Sequence, residues 1–317
     1  LLINGNKVIG CCVNNKSNLD EKFYANCEVI LSAGAIQTPA ILQRSGVGNP
    51  INLRKIGIPC LVNLPNVGIG LKDHANVRLS YTTKSIKTLN DYLSNNILFS
   101  KLIIGYLFRR KNLLSTPSAT THVLAKSNTN LSYPDLKLQL VHMIESERFG
   151  LGQNTKLNKK SGFSIGISYL FPKSSGEVKI ISPDHRINPS IRVNYLADTH
   201  DQHKTIKGIK IARKIVSTNP INEFIKQEIK PGEKKQKESD ILSFMRETCQ
   251  SGYHFSCSCR MGQKKTGVVD NKFRLYGLQN LRLCDASVLP FLTSSNIQAV
   301  VMMLAEKASS DIINEYI

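Results

Sequence analysis

A strand, a small-residue turn and a helix between Cys27 and Gly48 constrain the fold more than any other part of the sequence. The run Cys27–Ser32 is apolar enough to be a strand buried on both faces, as in a parallel sheet. It ends in Ser32-Ala33-Gly34-Ala35, whose small side chains let a ligand or a second backbone approach closely. Thr38 then predicts an N-cap and Pro39 the first position of a helix. Such a turn is a nucleotide site in some proteins and ordinary packing in others, and the residues alone leave both open.

The size and charge of the chain limit its class and its partners. Its 317 residues are enough for one large domain or two with a buried core. Lys and Arg outnumber Asp and Glu by 42 to 23, a net charge of +19 that would attract nucleic acid, anionic membrane surfaces or acidic substrates. The basic residues are dispersed, however, and the sequence lacks finger spacing and aromatic RNA-binding motifs. We therefore expect no nucleic-acid partner, and no apolar run predicts a membrane span.

The middle of the chain has a different pattern. Alternating strands are predicted at Val77–Tyr81, Pro134–His142 and Gly176–Ile181. Helices are predicted from Thr88 to Arg109 and from about His203 to Ser217, the second with an inner stripe of Ile206, Ile209, Ala212 and Val216. Antiparallel strands mixed with helices suit a substrate-binding domain inserted into a nucleotide-binding one.

Three stretches near the C-terminus are predicted to line one active site. The first runs from Tyr253 to Gly262 and contains a histidine, two cysteines two residues apart and an arginine. The second is Asp285–Pro290, and the third is Ser294-Ser295-Asn296 at the start of a long apolar run. The alternative is a loop, a turn and a buried C-terminal helix. Ser294 or Ser295 is predicted to cap the last helix, whose first turns, Ile297–Ala305, are apolar on almost every side and therefore expected to be buried.

His254 is the candidate catalytic residue of the first stretch. A neutral imidazole can take a proton from a substrate, and a positioned base contributes about 10² to 10⁴ in rate. The alternative is a core histidine held by hydrogen bonds. Cys257 and Cys259 beside His254 could suggest a metal, but no further ligands stand at matching spacing. We therefore predict no metal site.

Several of these stretches resemble one known family. The segment Glu28–Gly48 resembles the second signature of the GMC (glucose–methanol–choline) flavoprotein oxidoreductases, and Leu53–Pro59 and Val67–His74 continue the match. The block Tyr253–Ile317 resembles the C-terminal end of these enzymes, and the insect glucose dehydrogenase-like members most of all. The resemblance covers nearly the whole chain and is weakest from about Ile86 to Lys160.

The resemblance implies a fold and a domain organisation. The fold is α/β, with an incomplete FAD-binding Rossmann-like domain and a substrate domain that has a mostly antiparallel sheet and flanking helices, α+β in character. Residues 1–75 are predicted to belong to the FAD-binding domain and residues 76–250 to the substrate-binding domain. Residues 251–317 return to the FAD-binding domain and carry the active-site residues.

The resemblance also implies a reaction. The chain would oxidise a CH–OH group of an alcohol or sugar by hydride transfer to flavin N5, with oxygen or a quinone as electron acceptor. His254 would be the base and Asn296 the hydrogen-bond partner of the substrate oxygen, although Asn296 could instead be a helix N-cap. The helix that follows would aim its positive N-terminus toward the anionic reduced flavin. The implied location is extracellular.

The implied contacts with FAD come from the turn after the first strand and from the C-terminal block. They are Ser32, Ala33, Gly34, Tyr253, Asp285, Ala286, Ile297 and Gln298. For Asp285 the alternative is a turn aspartate that binds its own backbone. In the family the position of Cys259 is ordinarily cysteine, which favours a structural role.

The sequence departs from the family pattern at a few positions. Gly70 stands where asparagine is usual, Cys257-Ser258 replaces Gly-Thr, and Ser295 replaces glycine. A side chain at position 257 would strain the turn if that position needs positive φ. The sequence also lacks the Gly-x-Gly-x-x-Gly turn that holds a dinucleotide pyrophosphate, which in the family lies before the point where this chain begins.

These departures leave alternatives to an active enzyme. The chain is expected to be a fragment of a longer protein or a degenerate relative. The alternative function is that of a non-catalytic fragment or homologue that has lost FAD binding. A third reading is a basic protein that binds nucleic acid or a membrane surface.

Overall fold

The computed structural model describes residues 1–14, 20–117, 119–144, 160–294 and 296–316. The chain divides into two compact units. Unit 1 comprises Leu1–His74, Phe171–Tyr195 and Tyr253–Ile317, and unit 2 comprises Ala75–Leu170 and Leu196–Gly252. Strands and helices alternate irregularly in both, and the predicted mixed α/β class with an antiparallel sheet is confirmed.

The elements follow in chain order. Residues 1–74 form β1 (Leu2–Asn4), β2 (Lys7–Asn14), β3 (Asp20–Tyr24), β4 (Val29–Leu31), α1 (Gly34–Arg44), β5 (Val47–Gly48), α2 (Pro50–Lys55), β6 (Val62–Asn63) and β7 (Ile69–Leu71). Residues 75–170 form β8 (Ala75–Thr83), α3 (Leu89–Ser94), α4 (Asn96–Arg109), β9 (Ala119–Ala125), β10 (Leu136–Val141) and β11 (Gly162–Tyr169). The remainder forms β12 (Gly176–Lys179), β13 (Ser190–Arg192), α5 (Thr199–Val216), α6 (Ile221–Phe224), β14 (Ile225–Lys230), α7 (Glu238–Thr248), β15 (Gln250–Ser251), β16 (Leu281–Leu283) and α8 (Gln298–Tyr316).

The parallel pair β4–β16 is the part of unit 1 that positions the candidate site. Leu281 pairs with Val29 and Leu283 with Leu31, so both strands end at the same edge. The prediction that the first of these strands is buried on both faces is wrong, because Ile30 is exposed. A parallel strand is buried on both faces when helices cover both sides of its sheet. The described residues do not cover β4 in this way.

Helix α1 begins at Gly34, earlier than the sequence predicted. Thr38 is therefore not the N-cap, and Pro39 lies inside the helix. A proline inside a helix leaves the carbonyl four residues earlier without its N–H donor, and here that carbonyl belongs to Ala35. The hydroxyl of Ser258 donates to this oxygen at 2.6 Å, which explains how the helix accommodates the proline.

The segment Phe171–Tyr195 belongs to unit 1, whereas the predicted substrate domain of residues 76–250 included it. The reason is sheet pairing, because β12 pairs with β7 and β13. The buried side chain of Gln43 in α1 also binds this segment. It donates to the carbonyl of Val178 and accepts from the N–H of Ile180, both at 2.9 Å. The roles of the two units as cofactor and substrate domains stay predictions.

Unit 2 is built on an antiparallel sheet in the order β14-β8-β11-β10-β9, with β15 paired to β8. Helix α5 packs on β10 and β11 through a buried stripe of four predicted residues: Ile206, Ile209, Ala212 and Val216. The predicted helix from Thr88 to Arg109 is two helices, α3 and α4. They separate at Asn95, whose extended backbone ends α3 and whose side chain caps α4.

Helix α8 begins at Gln298, and Leu304 and Ala308 are its buried residues. The prediction that Ile297–Ala305 is buried on almost every side is therefore wrong. Met302 and Met303 are exposed, since the described residues pack against one face of the helix. Within the described ranges, no helix combines the length and apolar character that a membrane crossing requires.

Candidate active site

The turn after β4 and the turn after β16 meet through Asp285. One carboxylate oxygen, Oδ2, accepts the backbone N–H of Gly34 at 2.9 Å and the hydroxyl of Thr38 at 2.5 Å. The other, Oδ1, accepts the N–H of Ser287 at 2.7 Å. Asp285 is therefore a turn aspartate that binds its own backbone, which was the alternative interpretation. It also binds and stabilises the first turn of α1. Its negative charge lies at the positive end of the helix, which is the favourable arrangement.

The turn from Ser32 to Gly34 fits a cofactor that approaches its backbone. Ser32 and Ala33 are exposed. Gly34 has φ of +82°, and a Cβ atom added there would meet nothing within 4 Å. The N–H groups of Ala33 and Gly34 are already bound, by the Thr38 hydroxyl at 3.1 Å and by the Asp285 carboxylate. What the turn offers a cofactor is therefore its exposed backbone and the open space beside Gly34.

His254 makes a side-chain contact with His74. Their Nδ1 atoms lie 2.8 Å apart, and the two rings are nearly perpendicular. One Nδ1 must therefore carry a proton and the other accept it, since a hydrogen bond needs one donor. His74 is buried and His254 is half-buried. The contact therefore fixes the ring of His254 against the buried ring of His74.

Asp73 holds the backbone beside this histidine pair. Its Oδ1 accepts the N–H of His254 at 2.8 Å, and its Oδ2 accepts the hydroxyl of Tyr195. Asp73 is buried, so its carboxylate is shielded from bulk water. Asp73 thus fixes the backbone of His254, and the adjacent His74 fixes its side chain.

The loop that carries His254 has unusual backbone geometry. Tyr253 has φ of 60° and Cys257 has φ of 67°, so both lie in the left-handed region that favours glycine. The position at which Cys257 replaces the family glycine does need positive φ. A non-glycine residue costs about 1–2 kcal/mol in this conformation. The contacts around the loop must therefore offset the strain.

Backbone hydrogen bonds and one apolar cluster pin the loop. The N–H groups of Cys257 and Cys259 donate to the carbonyls of Ala286 and Ser287 at 3.2 and 2.8 Å. Phe255 packs against a buried cluster that also receives Ile297, and its buried members are Ala35, Leu71, Val178 and Ala286. The residues that follow His254 and Asn296 therefore lie in one cluster.

Some of the predicted site residues contact one another in the structure and others do not. Ser32–Gly34 meets Asp285, and Ala286 packs with Ile297. Tyr253, Asn296 and Gln298 have exposed side chains. Ser295 lies outside the described residues. The alternative role of Asn296 as an N-cap does not fit, because α8 begins two residues later, at Gln298.

The two cysteines of the loop are buried and protonated. Burial raises the pKa of the Cys257 thiol, and the pKa of the Cys259 thiol is raised by burial and by the nearby Asp285 carboxylate. Among the residues that the structure describes, no three His, Cys, Asp or Glu side chains are grouped as metal ligands. A buried neutral thiol is inert, in keeping with a structural role for Cys259.

Four residues of this site were not indicated by the sequence: Asp73, His74, Tyr195 and Ser258. Asp73 and His74 end a segment that matched the family, but nothing in their spacing indicates a partner 180 residues away. Ser258 is signalled more directly, because it keeps the hydroxyl of the threonine usual at that position. Its partner follows from Pro39, once the helix is known to begin at Gly34.

The family model of the GMC oxidoreductases matches residues 1–76 and residues 172–305, which together are most of the chain. The chain belongs to the GMC oxidoreductase family. The predicted membership of this family is thus confirmed. FAD is the cofactor of proteins with this fold. The finer likeness to insect glucose dehydrogenases stays a prediction.

Curated relatives and solved structures agree with this assignment. The oxygen-dependent choline dehydrogenases of Yersinia pseudotuberculosis and Staphylococcus saprophyticus are 31% and 33% identical over 91% and 96% of the chain. The chain spans about half the length of these relatives, 50% and 54%. Formate oxidase of Aspergillus oryzae has a TM-score of 0.89 at 23% identity, over 100% of this chain and 59% of its own. Pyridoxine 4-oxidase of Mesorbium loti has a TM-score of 0.81 at 23% identity, over 98% and 56%.

We predict that Ser258→Ala destabilises unit 1 by about 1–3 kcal/mol, because it leaves the buried carbonyl of Ala35 without a donor. Urea unfolding followed by circular dichroism measures the loss. Ser258→Thr keeps the hydroxyl and is the matched control, with a smaller loss expected. Equal stability of Ser258→Ala and the parent chain would show that the hydrogen bond is not needed.

We also predict that Cys257 and Cys259 resist alkylation in the folded chain at mildly alkaline pH, whereas the exposed Cys12, Cys27 and Cys60 react. A raised thiol pKa lowers the thiolate fraction at a given pH, and thiolate is the reactive form. Mass spectrometry of peptides from iodoacetamide-treated protein, folded and urea-unfolded, distinguishes the sites. Rapid modification of Cys259 in folded protein would contradict its burial.

Proposed function

We propose that this chain carries the proton-abstracting half of an FAD-dependent oxidation of a CH–OH group, with His254 as the base. The observation that carries the proposal is the 2.8 Å contact between Nδ1 of His254 and Nδ1 of His74. It fixes which ring nitrogen of His254 faces the protein. The other nitrogen, Nε2, lies on the side of the ring away from His74, and we assign it to the substrate.

The contact is compatible with the tautomer that the reaction needs. When His254 donates its Nδ1–H to His74, its Nε2 holds a lone pair and can accept the hydroxyl proton of an alcohol. After that transfer His254 is an imidazolium, and its Nδ1–H bond to His74 becomes charge-assisted and stronger. His74 is thus a positioning residue for both the neutral and the protonated base.

Asp73 adds an electrostatic contribution. Its buried carboxylate accepts the backbone N–H of His254, so a negative charge lies close to the imidazolium that forms. Opposite charges in a partly buried site attract more strongly than in bulk water. The dipeptide Asp73-His74 therefore favours the protonated state of His254 during the reaction.

The substrate oxygen and the cofactor involve other residues of the chain. Asn296 would donate an amide N–H to the substrate oxygen and so hold the alcohol hydroxyl next to His254. When bound, FAD supplies the acceptor for the hydride, and Ser32, Ala33 and Gly34 would hold it through their backbone. The support for this placement is the exposed backbone of Ser32 and Ala33 and the open space beside Gly34.

The substrate class is a small alcohol, with oxygen or a quinone as the final electron acceptor. The curated relatives are named as choline dehydrogenases, and choline is a primary alcohol. Choline is therefore the first substrate to test, followed by glucose, because the C-terminal block resembles glucose dehydrogenase-like members of the family.

We predict that His254→Ala slows flavin reduction in the FAD-loaded protein by at least about 10², because a general base contributes that much or more. Anaerobic stopped-flow absorbance after mixing with the alcohol measures the step. His185→Ala, which changes an exposed histidine, is the matched control. A rate within about threefold of the parent would exclude His254 as the base.

Variants of His74 separate positioning from folding. His74→Phe keeps a ring without the nitrogen, so the reduction rate should fall at least about tenfold. His74→Asn places an amide oxygen near the position of Nδ1 and should recover most of the rate, while substrate affinity changes little in either variant. Equal rates in the two variants would remove His74 from the mechanism.

The second candidate function is that of a non-catalytic homologue. The observation that favours it is the left-handed backbone at Cys257, where glycine would be free of strain. Purified protein that is colourless and does not take up added FAD would support this candidate and exclude the enzyme. Uptake of FAD with reduction by an alcohol would exclude the homologue.

A further inference from the structure

Helix α4 of unit 2 presents an apolar stripe to solvent. Its exposed side chains include Ile97, Ile104, Leu107 and Phe108, with exposed fractions of 69, 52, 59 and 85%. Ile97, Ile104 and Phe108 are seven and four residues apart and therefore lie along one side of the helix. Solvent exposure of this many large apolar side chains on one face marks a surface that binds something.

The opposite face of α4 is apolar as well. Leu102 is buried, and Leu98 and Tyr106 are half-buried. A helix that is hydrophobic on all sides belongs in a protein core or at a membrane. In the described part of the chain, α4 packs mainly against α3 and the short turn Leu113–Ser115, so its outer face is left uncovered.

The charges on α4 and on the segment that follows it are all positive. From Tyr92 to Pro134 the sequence contains no Asp or Glu. Lys101 projects from the exposed side of the helix, and Arg109, Arg110 and Lys111 follow one another at its C-terminal end. The Arg110 guanidinium lies 5.4 Å from the centre of the Tyr106 ring, which keeps it close to the helix.

We propose that α4 binds the surface of an anionic lipid bilayer and lies in its interfacial layer. The apolar stripe would enter the boundary between headgroups and acyl chains, and Lys101 with Arg109–Lys111 would contact the lipid phosphates. The helix has 14 residues, about 21 Å in length, and cannot cross a hydrocarbon core of about 30 Å. An in-plane orientation is therefore the one that its length permits.

Charge favours lipid over the other occupants of such a face. A second copy of this chain that paired through α4 would bring no acidic residue of this segment to meet Lys101 and Arg109–Lys111, because the sequence from Tyr92 to Pro134 contains none. An anionic bilayer supplies both the apolar layer and the negative charge. Each basic residue near such a surface raises binding by about fivefold.

Vesicle sedimentation tests the proposal directly. The whole chain is mixed with vesicles of phosphatidylcholine alone or of phosphatidylcholine and phosphatidylglycerol at about 7:3, which gives a negative surface. We predict at least about tenfold stronger binding to the anionic vesicles. The variant Ile104→Glu/Phe108→Glu should lose at least about tenfold of that binding, and Arg109→Gln/Arg110→Gln/Lys111→Gln should lose the preference for anionic lipid.

A matched control separates insertion from net charge. Ile51→Glu/Leu61→Glu changes two exposed apolar residues of unit 1 by the same charge and should bind within about twofold of the parent. Circular dichroism shows whether each variant is folded. Equal loss in the control and α4 variants, or no binding by the folded parent chain, overturns the proposal. A dimer in solution that Ile104→Glu/Phe108→Glu dissociates would also overturn it in favour of a second copy.

Discussion

The carbonyl of Ala35 is the point on which the site depends. Pro39 deprives it of its helical donor, and Ser258, which lies 223 residues further along the chain, supplies a hydroxyl instead. One residue earlier, the N–H of Gly34 binds the carboxylate of Asp285. The first turns of α1 thereby bind both the loop of His254 and the turn after β16. A local defect in one helix therefore links segments far apart in sequence.

The position of His254 follows from that linkage. The loop between Tyr253 and Cys257 has left-handed backbone at both ends, which costs free energy in residues other than glycine. Hydrogen bonds to Ala286 and to Asp73 offset that cost and fix the loop. His74 then determines which nitrogen of His254 faces inward. The arrangement couples the fold of unit 1 to the acid–base chemistry proposed for it.

Sequence patterns predicted the elements of this fold better than their contacts. The stripe of Ile206 and Ile209 predicted α5, since periodicity records which face is buried. Pro39 misled the prediction for α1, because its tolerance inside the helix depends on Ser258, a distant residue. The contact between His74 and His254 could not be predicted either, because sequence carries no direct signal for a tertiary hydrogen bond. The family resemblance indicated His254 as the candidate base, and the structure shows that Asp73 and His74 hold it in place.

The protonation state of His254 is the most direct test of this account. The ¹⁵N spectrum of histidine-labelled protein distinguishes protonated from bare ring nitrogens, and His74→Phe and His254→Asn assign the signals. The account predicts that at neutral pH His254 carries its proton on Nδ1 and has a bare Nε2. It also predicts that His74→Phe disturbs this preference. A proton fixed on Nε2 of His254, or a His254 signal unchanged in His74→Phe, would contradict the proposed role of the histidine pair.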